Sequence, residues 1–187
     1  MPFQIAKYTA NSYVSPRTRA QRTLELLDLG CKDRFPWSEK NTPSSLDPRT
    51  NAHIQVTDAV REWDYGDYEG KVSADIRKER KERGLNADWD IWRDGCEGGE
   101  SPEDVSKRLD DLIHEIREKY HKGKFGEKCE PNDVLIVAHG HILRAFAARW
   151  IGKKLEDNPS LILEAGGVGT LRYVPLLFSK GCVGMIY

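Results

Sequence analysis

His139 and His141 bracket Gly140 at a junction where α/β proteins often place reactive groups. The apolar run DVLIVA ends just before them, and HGHILRAFAARWIG reads as a helix that starts at once. A strand feeding directly into a helix aims backbone N–H groups at whatever sits beyond the strand end. A glycine there lets a ligand approach the backbone, and the helix amino end favours an anion. Arg144 follows one helical turn later. A lone histidine more often caps or packs, but His139 follows a buried strand and precedes a Gly-led helix, so it is read as functional.

Two further segments carry compatible chemistry. SPRTRAQRT places Arg17, Arg19 and Arg22 on a helix start, with Arg19 expected to face an anion and the other two water. A guanidinium donates two parallel hydrogen bonds to phosphate. Surface arginines are common, however, so this segment is weak alone. REWDYGDYEG sets Glu62, Asp64, Asp67 and Glu69 among Trp63, Tyr65 and Tyr68. A carboxyl beside a phosphate holds its proton more tightly and suits proton donation at neutral pH. Composition alone calls the segment a tight turn and does not choose among its acids.

The remaining composition narrows the field. The 187 residues suit one domain with a substantial core, 1–187. Lys and Arg total 29 against 30 Asp and Glu, which argues against a nucleic-acid partner. Cys31, Cys96, Cys129 and Cys182 are widely spaced and read as reduced thiols of a cytoplasmic protein. The histidines and cysteines do not cluster at ligand spacing, so no metal is expected and no cofactor is implied. No stretch approaches the roughly 18 apolar residues of a membrane span, and the amino end has no secretory pattern.

These groups need elements to hold them. One short strand is expected within residues 1–14. A helix follows from Ser15-Pro16, with Ser15 as cap, and stops near Gly30. Residues 31–53 read as a loop and 56–61 as a short strand. VSADIRKERKERGL reads as a basic solvated helix, and WDIWRDGCEGGES as a loop that shapes specificity. Ser101 caps a helix whose stripe is Val105, Leu109, Leu112, Ile113, Ile116 and Tyr120. DVLIVA is expected to be buried on both faces. SLIL, VGTLRYV and CVGMIY read as short strands near the end. The alternation implies an α/β fold, three-layer α/β/α with a largely parallel sheet, and ligands at the strands' carboxyl ends.

In order along the chain, SPRTRA, REWDYGDYEG, WDIWRDGCEGGES, AHGHILRAFAARWIG and DNPSLILEAGGVGTLRY form a set. The set resembles the histidine phosphatase superfamily, with its phosphoglycerate mutase-like fold. Within it, the nearest likeness is to the fungal sedoheptulose-bisphosphatases. In that family a phosphoryl group passes to a histidine and then to water without a metal. The resemblance implies that Arg19 binds the phosphoryl group, Glu62 protonates the leaving oxygen, and His139 stabilises the charge in transfer. It also implies that Tyr65, Gly140, His141, Gly166 and Gly167 line a sugar-phosphate site. A small phosphorylated sugar is then the expected partner.

One departure matters. The family opens with a strand ending in Arg-His-Gly, whose histidine is the nucleophile, and no Arg-His-Gly occurs here. His53, His114 and His121 do not follow buried strands. Only fourteen residues precede Ser15, so the first strand and helix of the family are expected to be missing. An incomplete sheet implies marginal stability or a homo-oligomer. Three readings follow: a sugar-phosphate phosphatase impaired by the missing nucleophile, a non-catalytic relative that binds phosphosugars or a protein, or a lyase or isomerase using His139 and Glu62 as acid and base.

Overall fold

The computed structural model describes residues 9–27, 53–122, 133–158 and 160–172. The chain divides into two compact units, residues 1–61 with 114–139, and residues 62–113 with 140–187.

The first unit is built on a parallel sheet. Strand β1 (Thr9–Val14) lies between β2 (His53–Val56) and β3 (Asp133–Val137) and pairs in parallel with both. Successive side chains of β1 point to opposite faces, so Tyr13 and Val14 serve two different cores. Val14 packs with Ala20 and Leu24 of helix α1 (Thr18–Leu26), with Val137, and with the half-buried Ile54 and Leu135. Tyr13 faces the other way. Its hydroxyl donates to Glu115 Oε1 at 2.7 Å, and its ring meets Tyr120 edge-on at 6.4 Å. Each fully buried aliphatic side chain of this kind contributes roughly 1.5–3 kcal/mol.

Several local expectations change. Helix α1 starts at Thr18, with Arg17 in the cap position and no side-chain cap bond. Ser15 is therefore not its cap; its Oγ accepts the N–H of Arg17 at 3.3 Å, just ahead of the helix proper. The second strand falls on His53–Val56, so His53 opens a strand where a loop was expected. Residues 58–60 form a 3-10 turn instead of a strand. Thr57 Oγ1 accepts the N–H of Ala59 at 3.2 Å, and such local bonding competes with ladder formation. Strand β3 sits where DVLIVA predicts, but only Val137 is buried and residues 134–136 are half-buried. Among the described residues the sheet has three strands, with β3 at one edge, so the apolar run overstates its burial.

The second unit holds helices α2 (Ser73–Glu82), α3 (Ile91–Asp94) and α5 (Gly140–Trp150), and α4 (Pro102–Ile116) up to Ile113. The last turn of α4 belongs to the first unit, where a π-helical turn, Arg117–His121, continues it. The expected stripe on α4 is buried throughout, from Val105 and Leu109 to Tyr120. Ser101 starts this helix by accepting the N–H of Asp104 at 3.1 Å, and Asp104 Oδ2 accepts Ser101 N–H at 3.0 Å in return. This is a capping box with Asp in the acid position. Helix α3 was expected to be loop. Asp90 caps it by accepting the N–H of Trp92 at 2.8 Å, and Gly95 at φ +64° ends it.

Residues 160–163 and 168–172 form no strand, against expectation, and Tyr173 onward lies outside the described residues. The Gly30 end of α1, residues 31–52, Cys31, Cys129 and Cys182 lie outside them too. Gly167 N–H donates to Glu164 O at 2.9 Å, so the Gly166-Gly167 turn forms, with Gly166 at φ +78°.

Candidate active site

In the first unit, three side chains meet at the carboxyl ends of β1 and β3. Ser15 follows β1, and its N–H donates to Val137 O at 3.0 Å, which extends the ladder by one step. That step brings Ser15 beside His139. The Ser15 hydroxyl lies 2.7 Å from His139 Nε2, and Arg19 Nε donates to His139 Nδ1 at 3.0 Å. Ser15 is fully buried and His139 is 8% exposed. Because a guanidinium only donates, Nδ1 must present its lone pair. The neutral ring then carries its proton on Nε2 and donates to Ser15 Oγ.

Arg19 reaches this ring through Nε alone. Among the described residues its two terminal nitrogens form no hydrogen bond or ion pair, which leaves four N–H groups for an oxyanion. Arg17 and Arg22 are exposed, as expected, and Arg22 pairs with Glu25. His114 is exposed on α4, and His121 lies in the π-helical turn, so neither ends a strand.

In the second unit, Glu62 separates itself from the other acids of its turn. Its Oε1 accepts the N–H of Trp63 and the N–H of Ile142, both at 3.0 Å. A carboxylate there faces the positive end of α5. Asp64, Asp67 and Glu69 are exposed, and Asp64 Oδ1 is engaged by the N–H of Gly66 within the turn.

Tyr65 and His141 share a hydrogen bond at 2.8 Å from hydroxyl to Nδ1, with their rings edge-on at 5.7 Å. Burial, with the Glu62 carboxylate next, keeps the Tyr65 hydroxyl protonated far above its usual range. Burial lowers the pKa of His141, and the positive charge of Arg144 adds to this, against smaller opposing effects of Glu62 and Asp90. The Trp92 ring lies 5.6 Å from His141, and the Arg144 guanidinium sits 5.1 Å from the Trp92 centroid. Gly140 opens α5, and a Cβ there would meet nothing within 4 Å, so the backbone is accessible. No hydrogen bond among the described residues ties the Gly166-Gly167 turn to Tyr65 or His141.

The sequence did not point to Ser15 as a partner of His139. Its only signal is the Ser immediately after a β-rich run, which reads equally well as a helix cap. No group of three or more His, Cys, Asp or Glu among the described residues could hold a metal ion. Among the same residues no helix is long and apolar enough to cross a membrane.

A strand-terminal histidine bonded to arginine, and a glutamate at a helix amino end, fit a phosphoryl-handling protein. The histidine phosphatase superfamily (branch 1) model matches residues 39–175, and the chain belongs to that superfamily. It is 34% identical over 195 aligned positions to sedoheptulose 1,7-bisphosphatase of Saccharomyces cerevisiae, covering 86% of this chain and 66% of that one. It is 32% identical over 115 positions to an acid phosphatase of Mycobacterium tuberculosis, covering 62% and 49%. Among solved structures, that of the open reading frame Rv3214 from Mycobacterium tuberculosis matches with a TM-score of 0.55 at 29% identity, over 81% of this chain and 60% of that one. The chain thus spans less than two thirds of the length of these relatives. The parallel sheet with helices is the open α/β fold that the sequence predicts.

Proposed function

We propose that this chain binds a phosphorylated sugar through its phosphoryl group, on a scaffold of the metal-independent sugar-phosphate phosphatase type. The observation that carries this reading is Arg19. It is anchored to His139 through Nε, and its terminal nitrogens are left without a protein partner among the described residues. A fork fixed at one end and open at the other is prepared for a phosphate oxyanion at little further ordering cost. In this reading the Glu62 carboxyl donates a hydrogen bond to the ester oxygen of the bound sugar phosphate, and no P–O bond is broken. His139, already a donor through Nε2, turns from Ser15 to the phosphoryl oxygens and stabilises their charge. Tyr65 and His141 contact the sugar.

The names of the relatives support a sugar bisphosphate as ligand, since one is a sedoheptulose 1,7-bisphosphatase. Transfer to water by way of the enzyme needs a nucleophilic imidazole aimed at phosphorus. The chain has no Arg-His-Gly, and both nitrogens of His139 are already engaged. We therefore infer binding with little or no turnover.

Calorimetric titration with sedoheptulose 1,7-bisphosphate, beside a phosphate-release assay, tests both parts. Binding that is lost in Arg19→Ala, without phosphate release, is expected. Unchanged affinity in Arg19→Ala overturns the binding site, and robust release overturns the absence of a nucleophile.

A further inference from the structure

The turn that carries Glu62 is gripped by the loop after α3, and one acid of that loop supplies most of the grip. Glu62 Oε1 takes the N–H of Trp63, so its carboxyl follows the peptide that comes after it. That peptide is held on several sides. Asp64 N–H donates to Glu100 Oε2 at 3.0 Å, and Glu100 N–H donates back to Asp64 O at 3.0 Å. The indole N–H of Trp63 donates to Glu100 O, also at 3.0 Å. One turn on, Asp67 N–H donates to Glu97 O at 2.8 Å.

Backbone so close to backbone requires glycine on both sides. A Cβ on Gly99 would lie 2.2 Å from Asp64 O, and one on Gly66, at φ +50°, 2.3 Å from Gly99 N.

Glu100 is itself fixed. It is 7% exposed, and Arg108 of α4 forks onto it, Nε to Oε1 at 2.8 Å and Nη2 to Oε2 at 2.9 Å. Burying an ion pair is a poor way to gain stability, since desolvation cancels much of the attraction. Aromatic packing already closes this region, with Trp63 edge-on to Trp92 at 5.6 Å. What the charged pair adds is direction, because the guanidinium fork fixes the plane of the carboxylate that holds the Asp64 N–H.

We infer that Glu100, oriented by Arg108, is a positioning residue for Glu62. This rests on the reading of Glu62 as proton donor, and it gives WDIWRDGCEGGES a role in aiming that group where specificity was expected. The Glu62 carboxyl keeps its place at Ile142 only while the Trp63–Asp64 peptide is held.

The test is amide hydrogen exchange followed by NMR on the full chain, comparing wild type with Glu100→Gln and Arg108→Met. In both variants the Trp63 and Ile142 amides are expected to lose protection about tenfold relative to Leu109 and Leu112 in α4. The Ile142 amide proton signal should move upfield as its carboxylate bond weakens. Arg108→Lys, which restores charge without the fork, should recover part of both effects. If Trp63 and Ile142 lose protection only in step with α4, or if neither variant folds, the pair is a stability element and the inference fails. Because exchange is read without ligand, a chain that binds no phosphosugar sinks the proposed function and leaves this result intact.

Discussion

Arg19 holds the Nδ1 lone pair of His139 with its Nε–H at 3.0 Å, and that single bond sets the tautomer of the ring. The proton is thereby forced onto Nε2, where the Ser15 hydroxyl receives it at 2.7 Å. The histidine is thus kept as a donor toward the strand ends, which suits stabilising an oxyanion and does not suit attacking phosphorus.

The tautomer is directly observable. Long-range proton–nitrogen spectra of the wild-type chain near neutral pH should show His139 with Nδ1 unprotonated and Nε2 protonated. In Arg19→Ala the Nδ1 signal should move toward a mixture of tautomers. A pure Nδ1–H form in the wild type would contradict the arrangement.

Ser15→Ala removes the acceptor for a buried imidazole N–H. The orphaned donor should cost about 1–3 kcal/mol in urea unfolding, with the slope of the transition unchanged. A loss within a few tenths of wild type would mean that the Ser15–His139 contact is not made in solution.

Stability should fall below neutral pH because of His141. Its folded-state pKa is depressed, first by burial and then by Arg144, from the ordinary value of 6.5. As pH drops through about 6.5 the unfolded chain takes up a proton that the folded ring refuses, so folding weakens until the folded ring also titrates. Thermal unfolding between pH 7.5 and about 5 should show this decline, and His141→Asn should flatten it. An identical slope in the variant would remove His141 as its source.

Tyr65→Phe deletes the hydroxyl that meets His141 Nδ1 at 2.8 Å and keeps the ring. The expected loss is about 1 kcal/mol. Since the neutral ring loses its hydroxyl partner, sugar-phosphate affinity should fall in the same variant, whereas Tyr68→Phe should leave affinity unchanged.

Leu109→Ala probes the α4 stripe. Leu109 is fully buried, so the variant should lose about 2–5 kcal/mol in denaturant unfolding. A smaller loss would indicate that the stripe packs loosely.

The α4 stripe, the position of β3 and the start of α5 are all written in local patterns, and each forms where those patterns place it. Periodicity, capping residues and glycine are properties of a few neighbouring residues, so a sequence carries them in readable form. Local caps also explain two misreadings: Asp90 starts a short helix in WDIWRD, and Thr57 turns the chain where a strand was expected.

The selection of Glu62 over Asp64, Asp67 and Glu69 has no local signature. It follows from the N–H of Ile142, whose partner is 80 residues away in the chain. Ser15 and His139 are 124 residues apart, and only the pairing of β1 with β3 brings the hydroxyl to the ring. The chain by itself determined the long helices, the place of β3 and which residue types were available for phosphate chemistry. The tertiary structure decided which of those residues are engaged, because hydrogen bonds act over about 3 Å and only folded backbone brings distant residues that close.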